Sequence, residues 1–172
     1  MQRRTLLRLG LGAAAALAVA GGGLAWVRPG LVGNRLTPGG RKVFRAVARA
    51  VLDGSLPTAG APREAALASL LDRLDTTLAG FPAAIQAELS QLLALLAAPP
   101  GRLALVGLRG DWPEATPAEL QQALQDMNRS GLALRQQAYH ALRDLTNAAY
   151  YADAQAWAAI GYPGPRRLEP ME

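Results

Sequence analysis

Residues 62–97, PREAALASLLDRLDTTLAGFPAAIQAELSQLLALLA, decide the fold class. Apolar side chains recur every three to four residues on both sides of the break Gly80-Phe81-Pro82, which is the period of an amphipathic α-helix. The pattern predicts one helix over about 62–79 and a second over about 82–97, packed as an antiparallel hairpin because the break is short. The buried positions expected on these helices are Ala66, Leu67, Leu70, Leu71, Leu74, Leu78, Ile85, Leu89, Leu92, Leu93 and Leu96.

Helix signals also lie on either side of this stretch. Thr37-Pro38 has the form of an N-cap followed by proline in the first turn, which predicts a helix over about 38–53. Thr116 and Glu119 have the spacing of a capping box at the head of a helix over about 117–128. A longer amphipathic helix is expected over about 132–150, after Ser130-Gly131, and Asp153 is expected to cap a last short helical turn through Trp157.

The middle of the chain is ambiguous. Pro99-Pro100-Gly101 has the composition of a stop signal, and residues 102–109 fit either one strand or a short helix. We favour a helix because no other stretch has a convincing strand pattern with which it could pair. The sequence therefore predicts a single all-α helical bundle domain over residues 38–158, with a linker over 29–37 and an extended C-terminal tail over 159–172.

One face of the helix predicted over 38–53 is basic, opposite a stripe formed by Val43, Phe44, Val47, Ala50 and Val51. Two interpretations are open for the basic face. It is either a solvated helix surface or a contact with an acidic partner surface or lipid headgroups. The side chains concerned are Arg41, Lys42, Arg45 and Arg49.

Residues 1–28 have the features of an export signal: Arg3 and Arg4 side by side, then an uncharged run over Leu9–Val27 that ends at Arg28. The arginine pair and the Gly/Ala-rich run resemble a twin-arginine (Tat) signal. Leu6 and Arg8 stand where the usual pattern has phenylalanine and lysine. The alternatives are a plain secretory signal or an uncleaved anchor helix, since the run approaches the ~20 residues that span a bilayer.

Composition excludes several classes of protein. Three of the 18 basic residues, Arg3, Arg4 and Arg8, lie at the charged start of the leader, so the remaining 15 nearly balance the 13 acidic residues, and nucleic-acid binding is not indicated. With no cysteine and one histidine, the chain cannot ligate an iron–sulfur cluster or a c-type haem through cysteines. It also contains no Gly-rich phosphate loop. A domain without an evident cofactor that carries a folded-export signal is explained economically as an escort for another subunit.

The single histidine, His140, is the one candidate for acid–base chemistry. On a helix it lies one turn from Gln136 and from Asp144, so that a carboxylate could orient it as a general base. An ordinary polar surface explains the same spacing. No nucleophile-elbow pattern surrounds Ser130, and one histidine among scattered carboxylates supplies too few metal ligands. We therefore expect a structural role.

The C-terminal stretch has a different composition, with three of the four tyrosines among Gly and Pro residues. Aromatic side chains with a polar group commonly anchor interfaces, and the prolines and glycines favour a preset, non-helical backbone. The stretch is either a partner interface or a tail folded back over its own bundle. The candidate interface residues are Tyr150, Tyr151, Trp157, Ile160, Gly161, Tyr162, Pro163, Gly164 and Pro165.

Together, the leader, the Thr37-Pro38 helix start, the segment over 138–146 and above all Trp157-Ala-Ala-Ile-Gly-Tyr-Pro-Gly-Pro165 resemble the gluconate 2-dehydrogenase subunit 3 family. The similarity extends over most of residues 1–165, and the terminal motif is its specific part. In that family the small subunit has no redox centre and accompanies a large FAD-containing subunit of the glucose–methanol–choline (GMC) type, often together with a cytochrome c subunit.

The resemblance implies a non-catalytic accessory subunit that stabilises a flavin-dependent dehydrogenase subunit and escorts it through the Tat translocase to the periplasm, in association with the inner membrane. No cofactor is expected in this chain, and FAD is expected in the partner. The residues from Trp157 to Pro165 that match the motif would contact the large subunit. The alternative is a stand-alone periplasmic or membrane-anchored helical scaffold.

Overall fold

The computed structural model describes residues 28–164, and Arg3, Arg4 and Pro165 lie outside these residues. The described part is mainly α-helical, which confirms the predicted class. Its elements in chain order are β1 (Leu31–Val32), β2 (Arg35–Leu36), α1 (Pro38–Val51), α2 (Gly60–Ala79), α3 (Ala83–Ala97), α4 (Pro99–Val106), α5 (Pro117–Asn128), α6 (Ala133–Tyr151), α7 (Ala154–Trp157) and a 3₁₀ turn (Ala158–Ile160).

Helix α1 is the centre of the domain. It packs against α2, α3, α5 and α6, and the side chains of Val43, Phe44 and Val47 have no exposed surface. The Thr37 hydroxyl accepts a hydrogen bond from the backbone N–H of Gly40, so the predicted cap forms. A helix surrounded in this way is buried over more than one face, which is why Ala46 and Ala48 join the predicted stripe in the core.

The predicted antiparallel hairpin of α2 and α3 is wrong. Helix α2 packs against α6 and β2, whereas α3 packs against α1 and α4, and the two do not lie along each other. Their apolar stripes are buried against other neighbours, because Pro82 has an extended backbone and redirects the chain between them. Ile85, near the start of α3, was predicted to be in the core but is 45 % exposed as a result.

The segment predicted as a linker folds instead into a β-hairpin. Leu31 pairs with Leu36, and Val32 pairs with Arg35. Between the strands, Gly33 and Asn34 both have positive φ, 55° and 64°, the conformation of the type I′ turn that matches strand twist. Leu31 and Leu36 are buried, while Val32 and Arg35 are exposed.

Three hydrogen bonds attach this hairpin to the helices. The N–H of Gly30 donates to the Ser90 carbonyl and the N–H of Leu31 to the Ser90 hydroxyl, both at 3.1 Å. The N–H of Leu36 donates to a carboxylate oxygen of Asp75 at 2.8 Å. A side chain on Gly30 would collide with Leu93 and with the Ser90 carbonyl. The ordered domain therefore begins before residue 38.

The ambiguous middle is helical, as favoured, but Pro99 and Pro100 start helix α4 rather than stop the chain. Proline suits the first turn, where the backbone N–H has no helical partner. Helix α4 ends at Gly107 with a φ of 86°, a left-handed conformation that suits glycine. Helix α5 has the predicted bounds, and both hydrogen bonds of the Thr116–Glu119 capping box are present.

Among residues 28–164, no single helix has both the length and the hydropathy to cross a membrane. Helices α3 and α4 meet these criteria only when taken together, and a bend of 96° separates them.

Candidate partner-binding surface

The predicted interface begins at the end of α6, where the side chain of Tyr150 packs inside the domain. Its side chain is buried, and its hydroxyl donates to the Ser55 carbonyl at 2.6 Å. Burial, with smaller contributions from Tyr151 and Asp153, raises the pKa of the Tyr150 hydroxyl, which therefore stays protonated as this donor requires. Tyr150 lies in the core of its own chain and offers a partner almost no surface.

Tyr151 is half-buried against Tyr150, with ring centroids 5.2 Å apart in an edge-to-face arrangement. Its hydroxyl lies 3.4 Å from the Ser55 hydroxyl. Both tyrosines therefore contact the loop after α1, so the end of α6 is fixed to the centre of the domain.

Arg73 on α2 fixes the corner between α6 and α7. It donates to the Ala149 carbonyl at 2.7 Å and pairs with Asp153 at 3.0 Å. Asp153 also accepts a hydrogen bond from the N–H of Gln155, which is the predicted cap of a short last helix. The position of α7 is thus set by polar contacts with α2.

Trp157 ends α7 and organises the tail. Its indole N–H donates to the Tyr151 carbonyl at 2.8 Å. The ring of Tyr162 lies edge-on to it, with centroids 5.3 Å apart, and the N–H of Tyr162 donates to the Trp157 carbonyl at 3.0 Å. The tail therefore folds back on Trp157, which is one of the two interpretations of its sequence.

Two glycines make this return possible. Gly161, at a φ of 68°, ends the 3₁₀ turn, and Gly164 has a φ of 94°. A side chain added at Gly164 would lie 3.2 Å from the Trp157 ring. Both positions favour glycine because other residues rarely adopt positive φ.

The outer side of this turn is exposed. Ile160 is 53 % and Tyr162 is 46 % exposed. Gly161, between them, and Pro163, after Tyr162, are exposed as well. We call the residues Ile160, Gly161, Tyr162 and Pro163 the tail surface. It is an apolar and aromatic patch on a backbone that internal contacts hold in place. The interface interpretation stays a prediction for this exposed part of the stretch.

The basic face of α1 meets acidic groups of its own chain. Arg41 pairs with Asp72 and Asp75, and Arg45 pairs with Glu64. These three acidic residues lie on α2. Lys42 pairs with Asp111 at 3.1 Å, and Arg49 lies 3.5 Å from the Pro113 carbonyl. Three of the four cations of this face are therefore paired with acidic groups of their own chain, and Arg49 alone has no ion pair among the described residues.

Beside the N-terminus of α1 lies a cleft of about 790 Å³, lined mainly by apolar residues of the hairpin, α3 and α4. Its polar wall is the carboxylate of Asp111, held between Lys42 and the buried Arg102. Burial alone would raise the pKa of Asp111. Hydrogen bonds from Lys42 and from the N–H of Trp112, together with the charges of Lys42 and Arg102, more than offset the effect of burial. The pKa of Asp111 is therefore lower than its ordinary value.

The His140 arrangement considered from the sequence does not form. His140 is exposed, and its ring lies edge-on to Tyr139 at 5.1 Å. Asp144 pairs with Arg143 at 3.2 Å. Within the part of the chain that the structure describes, no group of three or more histidine, aspartate or glutamate side chains is placed to hold a metal ion.

Comparisons with protein-family models, with curated proteins and with solved structures found no match to this chain.

Proposed function

We propose that this chain is a non-catalytic small subunit that stabilises a flavin-dependent dehydrogenase subunit of the GMC type and escorts it through the Tat pathway to the periplasm. The leader pattern of Arg3 and Arg4 and the resemblance of the C-terminal motif support the proposal. FAD belongs to the partner in this account, and a cytochrome c subunit can complete the assembly at the inner membrane.

The observation that carries the proposal is the tail surface. Ile160 and Tyr162 are exposed, yet the backbone between them is held by Trp157 and by the left-handed Gly161. An apolar patch that is already ordered loses little conformational entropy when a partner covers it. The proposed interface is therefore Trp157 through Gly164, with Pro165 continuing it in sequence, while Tyr150 and Tyr151 support it from beneath.

The stand-alone scaffold remains the competing proposal, but the basic face of α1 on which it depended is engaged in ion pairs with α2 and Asp111. A scaffold that acts alone also gives no reason for an exposed aromatic tail. We therefore favour the escort function.

The test is affinity purification of the tagged full chain from its native host, followed by visible absorbance spectroscopy and mass identification of what comes with it. The expected companion is a flavoprotein of GMC type. Recovery of the chain alone, or with companions that contain no flavin, would reject the proposal.

A pair of matched variants locates the contact. Ile160→Asp places a charge on the tail surface, while Ile85→Asp places the same charge on a side chain of similar exposure on α3. We expect the first to lose the flavoprotein and the second to keep it, with unchanged thermal unfolding in both. Equal retention by the two variants would exclude the tail surface as the interface.

A further inference from the structure

We propose that the outer side of the β1–β2 hairpin contacts anionic lipid headgroups at the membrane surface. The contact consists of the cross-strand partners Val32 and Arg35 together with Arg28, which precedes the hairpin and lines the same cleft as Val32. We call these three residues the hairpin face. This inference goes beyond the escort function, and it rests on the membrane-directed leader that is part of that proposal.

The pairing of the strands defines the hairpin face. Val32 and Arg35 are cross-strand partners, so their side chains project from the same side of the hairpin. Leu31 and Leu36 project from the other side and are buried. Val32 is 63 % exposed at the edge of the cleft beside α1. An exposed apolar side chain thus lies next to an exposed cation, a combination suited to the boundary between headgroups and acyl chains.

The charges of this face are available. Neither Arg28 nor Arg35 forms an ion pair with another described residue, whereas Arg41, Lys42 and Arg45 on α1 all do. Basic side chains near a bilayer are attracted by the negative surface potential of anionic lipids. Three of the four basic side chains of α1 are thus paired within the domain, whereas both arginines of the hairpin face have no ion-pair partner among residues 28–164.

The position of the hairpin face in the chain indicates that it contacts a membrane surface. The uncharged run Leu9–Val27 ends at the residue before Arg28. The segment after Arg28 is fixed to the domain. The Thr37 hydroxyl lies 3.0 Å from the carbonyls of both Pro29 and Gly30, and the N–H of Gly30 donates a hydrogen bond to the Ser90 carbonyl. From Arg28 onward the described chain is held to the domain, so a membrane entered by residues 9–27 would lie close in sequence to the hairpin face.

The absence of cysteine allows a direct test on the full chain. Val32→Cys and Leu132→Cys, at positions of nearly equal exposure (63 % and 64 %), are each labelled with an environment-sensitive fluorophore. The labelled chains are bound to vesicles of phosphatidylethanolamine and phosphatidylglycerol that carry a quencher lipid. We expect several-fold stronger quenching at position 32 than at position 132, and weaker quenching at about 1 M salt, where the Debye length falls to ~3 Å.

Two double variants separate local contact from total charge. Arg28→Gln with Arg35→Gln should reduce the quenching at position 32. Arg129→Gln with Arg143→Gln removes the same charge from exposed positions just after α5 and on α6 and should leave the quenching unchanged. Equal reduction by both pairs would overturn the inference.

Three further results would also overturn it: equal quenching at the two labels, equal quenching with phosphatidylcholine vesicles, or no binding to the anionic vesicles. Failure of the escort function is distinguished by the purification experiment, since loss of the flavoprotein with intact quenching at position 32 rejects that function alone.

Discussion

The indole N–H of Trp157 donates a hydrogen bond to the carbonyl of Tyr151, 2.8 Å away. This bond connects the end of α7 to the end of α6, which is itself fixed to the centre of the domain through Tyr150 and Ser55. The chain beyond Trp157 folds back over the same indole ring. The direction in which the tail surface leaves the domain is therefore set by one side chain.

Replacement of Trp157 should separate assembly from folding. Trp157→Ala removes the support of Tyr162, so we expect binding of the partner to weaken by ~2 kcal/mol or more. The thermal unfolding of the chain alone should change little, because Trp157 lies outside the main hydrophobic core. Binding titrations and calorimetry measure the two effects, and an equal loss of intrinsic stability would place the tail in the core.

Asp75 and Asp72 form a matched pair for stability. Asp75 is buried and accepts bonds from Leu36 and Arg41, while Asp72 is exposed and pairs with Arg41 alone. We expect Asp75→Ala to lower the free energy of unfolding by about 2 kcal/mol, since a charged acceptor is lost and Leu36 keeps an unpaired N–H. Asp72→Ala should cost less than about 1 kcal/mol. Equal losses in urea titrations would contradict the assignment of Asp75 as the support of the hairpin.

Asp111 should make stability depend on pH. Its pKa in the folded chain lies below the ordinary value of 3.8, so its ionised form stabilises the folded state above that value. The contribution is lost as the pH falls through the lower folded pKa. We expect Asp111→Asn to be less stable than the wild type at about pH 7 and the difference to narrow below about pH 4. A difference that is constant with pH would exclude ionisation of Asp111 as the cause.

Thr146 on α6 is fully buried, and its hydroxyl has no hydrogen-bond partner among the described residues. A buried hydroxyl without a partner costs stability. Thr146→Val keeps the shape and removes the polar atom, so we expect urea unfolding to show an unchanged or higher stability, by up to about 1 kcal/mol. Clear destabilisation would mean that the hydroxyl is hydrogen-bonded.

Local signals in the sequence were sufficient for much of the helical structure. The capping box at Thr116 and Glu119 located the start of α5, and Asp153 located α7. Such contacts join residues close in the chain, so composition and spacing reveal them. The overlooked local signal was Gly33-Asn34 between two pairs of strand residues, which favours a type I′ turn.

Long-range contacts were not predictable in this way. The α2–α3 hairpin was wrong because α1 and α6 provide the apolar surfaces that α2 and α3 cover. The cations of α1 found partners on α2 and at Asp111, as far as 69 positions along the chain. In the tail, composition identified an aromatic segment, but only the fold separates buried Tyr150 from exposed Ile160 and Tyr162.

If this chain carries its partner out of the cytoplasm, as we propose, the compartment in which the flavoprotein is found is the most direct test. Cells expressing the wild-type chain are compared with cells expressing Arg3→Lys with Arg4→Lys, a change that keeps the charge of the leader. We expect the flavoprotein in the periplasm in the first case and in the cytoplasm in the second, with the two chains still associated. A flavoprotein that reaches the periplasm equally well with both would contradict the proposal.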